Sequence, residues 1–177
     1  MLAFLFFLLS VTIGYMVGSF CSAVIVCRMF ALPDPRLEGS KNPGATNVLR
    51  VAGKKYATMV LFADMLKGFL PVLVVNLLSG NAAVVGFTAF AAVLGHMYPA
   101  FFGFKGGKGV ATALGALMGL NIILGSMVIA TWLLVANFTR YSSIASIVSM
   151  IFAPFYSLFI FKHINAFLPL MFISLFV

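Results

Sequence analysis

The sequence is short of acidic residues and of charge in general. Among its 177 residues the only acidic side chains are Asp34, Glu38 and Asp64. Three carboxylates are few for a proton-coupled pump, and they show no pairing suited to metal binding or acid–base catalysis. Charged residues make up 8% of the chain and hydrophobic residues 63%, with a mean hydropathy of +1.17. These values lie outside the range of soluble globular proteins.

Cysteine is also scarce, and the N-terminus has no basic segment of the kind that precedes a signal peptide. Cys21 and Cys27 lie six residues apart in one apolar run, a spacing that does not bring them together on a helix. We therefore expect packing thiols, with no disulfide, no metal site and no cofactor. The first apolar run is too long for a signal peptide and is predicted to be a membrane span. Without repeats or linkers, residues 1–177 are expected to form a single transmembrane domain.

What the sequence does contain is a series of long apolar runs. Several approach the roughly 20 residues that cross a bilayer, and they lack the alternation of membrane β-strands. We predict an all-α, polytopic integral membrane protein with about seven transmembrane helices. The predicted segments are about residues 2–30, 56–78, 82–102, two short helices within 110–138, 142–161 and 165–177.

Residues 110–138 are long for one helix and short for two. A hinge near residues 119–121 would give two halves of about 14 residues, each reaching only about 21 Å. Such halves require bilayer thinning or a partly re-entrant path. A single crossing would instead place Arg140 outside. We favour the two short helices, which keep Arg140 on the side of the other basic residues.

Net charge is +8, because eleven Lys and Arg residues outnumber the acidic ones. Most of them cluster in short loops, where the positive-inside rule explains them without a nucleic-acid partner. The rule places these loops in the cytoplasm and the N-terminus outside. Counting the predicted spans from there places the turn at residues 79–81, Lys162 and His163 outside. The remaining basic excess is available for anionic lipids or phosphate substrates.

The first polar stretch, residues 39–50, combines glycines with hydrogen-bonding side chains. Candidate phosphate ligands are Ser40, Asn42, Gly44, Asn47 and Arg50. Hydroxyl and amide groups donate hydrogen bonds to oxyanions, and a guanidinium can bind them in a bidentate manner. Asn47 is also predicted to be the N-cap of a short helix that ends near Arg50. The alternative is a solvated turn with capping residues.

The second polar stretch, residues 95–112, carries basic residues among glycines beside apolar runs. Its candidate ligands are His96, Lys105, Gly106, Gly107 and Lys108. Converging backbone N–H groups with an adjacent ammonium are suited to an anion. The alternatives are lysines that reach lipid headgroups and a helix-end histidine. A nucleotide P-loop is excluded, because Gly109 and Val110 follow Lys108 and no strand precedes it.

The third polar stretch, residues 139–146, places Ser143 and Ser146 on one helix face after Arg140, and both serines are candidate phosphate ligands. The alternative is that these serines bond their own helix backbone. Within the second span, Asp64 and Lys67 have i,i+3 spacing and are predicted to form a structural ion pair.

All three polar stretches fall on the cytoplasmic side of the seven-span topology. Two phosphate sites beside a bilayer indicate group transfer between phosphorylated partners, one of them lipid-like. A transporter of small organic anions is the alternative, although it would place binding groups near the midplane, often in related halves.

In this order, the stretches resemble the bacterial acyl-phosphate:glycerol-3-phosphate acyltransferase family. The resemblance covers the whole chain from the first span to Val177. It depends on Gly-Ser-x-Asn-Pro-Gly-Ala-Thr-Asn-Val-x-Arg at 39–50, Asp-x-x-Lys-Gly-x-x-Pro at 64–71, Gly-His-x-x-Pro at 95–99, Lys-Gly-Gly-Lys-Gly-Val-Ala-Thr at 105–112 and Arg-Tyr-x-Ser-x-x-Ser at 140–146.

The resemblance implies a seven-helix enzyme of the bacterial cytoplasmic membrane, with its active site facing the cytoplasm. Such an enzyme transfers a fatty acyl group from acyl phosphate, not acyl-CoA, to the 1-position of glycerol 3-phosphate. The products are lysophosphatidate, for phospholipid biosynthesis, and phosphate. By resemblance Ser40 and Asn42 hold acyl phosphate, and Arg50, Lys108 and Ser143 hold glycerol 3-phosphate. His96 would shape the site, and we expect a monomer.

The family lacks the His-x4-Asp sequence of other glycerol-phosphate acyltransferases, and so does this chain. Phe101 stands five residues after His96, and Leu168 stands five after His163. We therefore assign no general base, because acyl phosphate is already activated and positioning with charge neutralisation suffices. The family also continues beyond its last helix into a cytoplasmic tail, whereas this sequence stops at Val177. An inactive truncated form is thus a further alternative.

Overall fold

The computed structural model describes residues 1–162 and 164–177, which form nine α-helices and one short 3-10 helix without β-strands. The α-helices are α1 (Leu2–Gly18), α2 (Ser22–Met29), α3 (Ala45–Ala52), α4 (Lys54–Ser79), α5 (Ala82–Met97), α6 (Val110–Leu120), α7 (Ile122–Thr139), α8 (Ser142–Phe161) and α9 (Phe167–Phe176). The all-α prediction is confirmed. His163, predicted on the outer side with Lys162, lies outside the described residues.

Five segments in the described part of the chain are long and apolar enough to cross a membrane. They are Leu2–Met29, Lys54–Ser79, Ala82–Phe102, Ile122–Thr139 and Ser142–Phe161. The shorter apolar helices α6 and α9 occupy the two remaining predicted segments. Seven crossings therefore stay a prediction.

The first predicted span, residues 2–30, contains a break between two helices. The helix α1 ends at Gly18 and α2 begins at Ser22. The break leaves the Phe20 carbonyl outside both helices, and Lys67 Nζ donates a hydrogen bond to it at 2.7 Å. Hydropathy does not reveal this break, because the composition stays apolar across it.

The predicted pair of helices within residues 110–138 is confirmed. The helices α6 and α7 meet at Asn121, whose Oδ1 accepts hydrogen bonds from the backbone N–H groups of Ile123 at 2.9 Å and Leu124 at 3.1 Å. Asn121 is thus the N-cap of α7. The halves are unequal, with 11 residues in α6 and 18 in α7, so α6 is only about 16 Å long.

Glycines bring α1 directly against α5. A Cβ on Gly14 would meet the Thr88 carbonyl oxygen at 2.7 Å, and one on Gly18 would collide with the Ala92 carbonyl. From Gly14 to Gly18 the contact moves four residues toward the C-terminus of α1 and four residues toward the C-terminus of α5. The two helices are therefore parallel. Small residues spaced by four are typical of such close packing between membrane helices.

The helices α4 and α6 are also parallel and in close contact. A Cβ on Gly115 would collide with the Met65 carbonyl, and one on Gly119 would meet the Phe69 carbonyl oxygen at 2.6 Å. Farther along α4, Asn76 Nδ2 donates to the carbonyl oxygen of Gly119 at 3.2 Å. Backbone contact along this whole interface fixes α6 to α4.

Similar contacts define the relative directions of the last helices. The helices α8 and α9 are antiparallel, because Met150 contacts Ser174 and Phe155 contacts Phe167. The ring pairs between α5 and α9 are Phe87–Phe172 and Phe90–Phe176, which makes these two helices parallel.

These directions place the three polar stretches at one end of the helix bundle. The helices α1, α5, α7 and α9 run toward that end, and α4, α6 and α8 start from it. Met1 and the link at Ser79–Asn81 lie at the opposite end. The predicted grouping of the polar stretches on one side is therefore present in the fold.

Two apolar clusters share α4. The larger cluster contains residues from every helix between α4 and α9. The smaller cluster contains residues of α2, α3 and the start of α4. Val60 belongs to the smaller cluster and Val72 to the larger, so Asp64 and Lys67 lie between them along α4. Charged groups here occupy the boundary between two apolar cores.

Candidate functional site

Asn47 organises the first polar stretch. Its Oδ1 accepts a hydrogen bond from the Ser40 backbone N–H at 2.8 Å, and its Nδ2 donates to the carbonyls of Pro35 at 2.8 Å and Glu38 at 3.0 Å. The prediction that Asn47 is an N-cap is wrong, because α3 begins at Ala45 with Gly44 as its N-cap. Asn47 is buried within the first turn, and its amide is committed to the preceding loop.

Other groups of this stretch remain available to a ligand. Ser40 and Arg50 are exposed, and Asn42 is half-buried beside Gly44. Arg50 lies in the last turn of α3. The structure therefore leaves a hydroxyl, an amide and a guanidinium available along the first polar stretch.

Arg36, by contrast, is already neutralised. Its guanidinium pairs with Asp34 at 2.7 Å, and its Nη1 donates to the Phe102 carbonyl at 3.4 Å. Hydrogen bonds from Arg36 lower the pKa of the Asp34 carboxyl, which stays ionised at neutral pH. Arg36 therefore connects the loop before the first polar stretch to the second polar stretch, and its charge is already paired with Asp34.

The Gly106–Gly107 turn folds back onto the end of α5. Gly106 N–H donates to the Met97 carbonyl at 3.1 Å, and Gly107 N–H donates to the His96 carbonyl at 3.2 Å. This corrects the prediction that these N–H groups are free for an anion. They satisfy carbonyls that the end of a helix leaves without partners. The exposed side-chain donors of this turn are the ammonium groups of Lys105 and Lys108.

The first and second polar stretches meet at Gly107. A Cβ there would collide with His96 Nε2 and would lie 3.1 Å from the Pro43 carbonyl oxygen. Only glycine fits, because backbone and ring approach it from two sides. We call this contact of Pro43, His96 and Gly107 the loop junction.

The third polar stretch lies at the same end of the bundle. Ser143 and Arg140 are exposed there. Ser146 Oγ donates to the Ser142 carbonyl at 2.7 Å and accepts from Trp132 Nε1 at 3.1 Å. Ser146 thus follows the alternative in which a serine bonds its own helix backbone.

Asp64, Lys67 and His96 form a buried cluster of ionisable side chains below the loop junction. Their exposed fractions are 2%, 7% and 6%. Asp64 Oδ1 lies 2.8 Å from Lys67 Nζ and 3.4 Å from His96 Nδ1. The second distance is within ion-pair range but outside strict hydrogen-bond geometry.

Sequence reasoning missed the contact between Asp64 and His96, because they lie on different helices. A weak indication was available, since one ammonium leaves a buried carboxylate with acceptor capacity to spare. Within the described residues, no group of three or more His, Cys, Asp or Glu side chains could hold a metal ion. Cys21 and Cys27 are buried free thiols.

Known proteins match this chain along almost all of its length. A glycerol-3-phosphate acyltransferase family model matches residues 8–177. A glycerol-3-phosphate acyltransferase of Legionella pneumophila (strain Lens) is 60% identical over 172 residues, which are 97% of this chain and 62% of that protein. One of Shewanella sp. (strain ANA-3) is 53% identical over 150 residues, 85% of this chain and 74% of the relative. The chain therefore spans less than two thirds of the Legionella relative.

Two solved structures share the fold. One is the glycerol 3-phosphate form of PlsY (YgiH), an integral membrane glycerol 3-phosphate acyltransferase, with a TM-score of 0.90 and 40% identity. The other is the lysophosphatidic acid form of PlsY, with a TM-score of 0.88 and 38% identity. Each match covers 96% of this chain and 85% of the solved one. Sequence and fold agree, and the chain belongs to the glycerol-3-phosphate acyltransferase family of integral membrane proteins.

Proposed function

We propose that the protein transfers a fatty acyl group from acyl phosphate to the 1-position of glycerol 3-phosphate. The products are lysophosphatidate, for phospholipid biosynthesis, and phosphate. The observation that carries this proposal is the loop junction, where two glycine-rich stretches with exposed cations meet at one end of a membrane helix bundle. The names of the relatives and the two ligand forms of PlsY support it.

Each polar stretch has a proposed part in binding. Ser40, Asn42 and the backbone at Gly44 hold the acyl-phosphate end, and Arg50, Lys108 and Ser143 hold glycerol 3-phosphate. Lys105 adds positive charge beside the junction. The residues that shape the site rather than bind substrate are Asn47, Gly106, Gly107 and Ser146.

The chemistry requires no general base from the side chains. The hydroxyl on carbon 1 of glycerol 3-phosphate attacks the carbonyl carbon of the acyl group. The bond between this carbonyl carbon and the phosphate oxygen of acyl phosphate breaks. A phosphate oxygen accepts the hydroxyl proton. Acyl phosphate carries a good leaving group, so alignment and neutralisation of the two phosphates provide the catalysis.

We also propose the setting of this site. Residues 1–177 act as one transmembrane acyltransferase domain and as a monomer, with seven crossings and an external N-terminus. The polar end of the bundle faces the cytoplasm of a bacterial inner membrane. Support comes from the basic residues, which gather at that end while the Ser79–Asn81 link is uncharged.

The deciding experiment is a donor assay on purified protein in lipid nanodiscs. Lysophosphatidate should form from palmitoyl phosphate and glycerol 3-phosphate without added metal, and it should not form from palmitoyl-CoA. Equal turnover of both donors would refute acyl-phosphate dependence. Uptake of glycerol 3-phosphate into proteoliposomes without product would instead support the transporter.

A further inference from the structure

We propose that Lys67 is a positioning residue for the site, because its ammonium maintains the break between α1 and α2 and so fixes where the first polar stretch lies. The inference goes beyond the ion pair with Asp64, since it gives a function to the second partner of the ammonium, the Phe20 carbonyl at 2.7 Å. Lys67 touches no substrate in this arrangement and acts through the backbone. The inference deepens the proposed function, on which its activity measurement rests.

The sequence around the break contains no strong signal for a helix to stop. Residues 19–24, Ser-Phe-Cys-Ser-Ala-Val, include no proline, and Gly18 is itself helical. No residue from 18 to 22 has a positive φ, the conformation that ends many helices, and Ser19 has φ −70° and ψ −6°. In apolar surroundings a helix that simply continued would satisfy its own backbone. The break is therefore stabilised from elsewhere in the fold.

Lys67 supplies the hydrogen-bond donor that a continuous helix would supply. In such a helix the Phe20 carbonyl accepts from the N–H of Val24, whereas at the break it accepts from Lys67 Nζ. The Lys67 side chain is 7% exposed and is held on α4 by Asp64 at 2.8 Å. Hydrogen bonds from charged donors are among the stronger ones in proteins. Without this bond the carbonyl loses its partner, and closing the break into one helix becomes the way to satisfy it.

The chain changes its packing partner at the break. The helix α1 lies directly against α5 through Gly14 and Gly18, whereas the buried residues Ala23, Val26 and Cys27 of α2 belong to the smaller apolar cluster with α3 and α4. Closing the break would change both the direction and the rotation of α2 relative to α1. These α2 residues would then leave the cluster or face another way.

Both polar stretches are attached to this region. The helix α3, which shares the smaller cluster with α2, carries Arg50 in its last turn. On the other side, the Tyr15 hydroxyl donates to the Tyr98 carbonyl at 2.7 Å, and the ring centres of Phe20 and Phe101 lie 5.4 Å apart. These contacts fasten the end of α1 to the second polar stretch. Movement of α2 would therefore displace the first polar stretch while the second stays with α1 and α5.

The test separates the hydrogen bond from the charge pair. Asp64→Asn keeps the Lys67 amine as a donor to Phe20, and Asp64→Asn/Lys67→Met removes that donor without leaving an unpaired buried carboxylate. Spin labels on cysteines at the exposed positions Leu49 of α3 and Phe138 of α7 report a distance across the polar end in nanodiscs. Relative to Asp64→Asn, the double variant should show a shifted label distance and lose about 10- to 100-fold in kcat/KM, because the reacting groups are misaligned.

A proline provides the rescue. Ser22 is the first residue of α2, a position where proline is favoured because it needs no N–H donor. Proline there prevents a continuous helix, so adding Ser22→Pro to the double variant should return the label distance and most of kcat/KM to the Asp64→Asn values. Asn76→Leu is the matched control, because Asn76 is another α4 side chain that donates to a backbone carbonyl, that of Leu120 at 2.8 Å. It should lower Tm and leave the label distance unchanged.

The outcomes differ from those for the proposed function. An unchanged label distance in a folded double variant, even one with a lower Tm, would overturn the inference, and so would a shifted distance that Ser22→Pro does not restore. If the double variant does not fold, Ser22→Pro should recover its folding, and failure to do so would have the same meaning. Absence of turnover by the wild-type protein would refute the proposed function, whereas the label distances test Lys67 without substrate.

Discussion

Arg50 and Lys108 are exposed cations that come from different loops and flank glycine-rich turns at one end of the bundle. If both neutralise a substrate phosphate, Arg50→Ala and Lys108→Ala should each lose about 10- to 150-fold in kcat/KM, as expected for a charge-assisted hydrogen bond. Arg50→Lys should also lose much of its efficiency, because an ammonium cannot replace a bidentate guanidinium. Substrate titrations at matched membrane insertion provide the measurement.

Lys54 and Lys55 are the matched controls for these variants. Both follow α3 closely, and the Lys55 ammonium lies 5.6 Å from the centre of the Tyr56 ring, where it contacts an aromatic side chain. Their alanine variants should remain near wild-type efficiency. Small and equal effects across all four alanine variants would instead identify these cations as topology determinants.

Asn47→Ala should destabilise the first polar stretch rather than remove a substrate contact. The substitution leaves Ser40 N–H and the carbonyls of Pro35 and Glu38 without their partners. Each bond contributes about 1 kcal/mol, so we expect a loss of about 2–3 kcal/mol in stability together with a raised KM. Thermal unfolding followed by kinetics would measure both. The exposed neighbour Thr46 gives the control Thr46→Ala, and equal behaviour of the two variants would contradict the proposed role.

At the residue scale, the sequence indicates which chemical groups occur in the polar stretches, but it does not predict which distant residues those groups contact. Glycines, amides and cations with phosphate-binding chemistry can be recognised in the sequence because that chemistry is local, and their roles as ligands stay predictions. The use of the Gly106 and Gly107 N–H groups by α5, and the contact between Asp64 and His96, depend on how distant segments pack. No local pattern encodes those neighbours.

Among the helices, the α4–α6 interface offers a direct test of packing. Gly115→Ala gains up to about 1 kcal/mol of helix propensity, but its Cβ collides with the Met65 carbonyl. Backbone cannot move aside easily, and overpacking costs about 1–3 kcal/mol, so the variant should have a lower Tm. Ser126→Ala, on an exposed position of α7, is the control. A Tm unchanged by Gly115→Ala would argue against this close approach.

Helix boundaries show what hydropathy can and cannot reveal. The break at Asn121 was predictable, because 29 apolar residues suit neither one crossing nor two ordinary ones. The break after Gly18 was not, since its residues remain apolar and its stabilising partner is Lys67, far along the chain. Length gives evidence of a hinge, whereas a tertiary hydrogen bond leaves none in the sequence.

For the whole molecule, the prediction is that all three polar stretches face one side of the membrane. Single cysteines replacing the exposed Ser40, Lys105 and Ser142 should react with impermeant reagents from the cytoplasmic side, and a cysteine at Ser79 should react from outside. Cys21 and Cys27 are 4% and 1% exposed, so the background should be low. Labelling of the Ser142 position from outside would show that α6 and α7 do not return the chain to the polar end.

The short helix α6 has a consequence for biosynthesis. Its 11 residues are about 16 Å long, roughly half of the hydrocarbon core, and present too little apolar surface to leave the translocon alone. In the proposed seven-crossing topology, it would therefore wait for Ile122–Thr139 to emerge and then enter the lipid with it as a hairpin closed at Asn121. The segment that carries Lys108 precedes α6 directly, so its final position is reached only after α7 has been synthesised. Assembly of this membrane site is in that sense a late event on the ribosome.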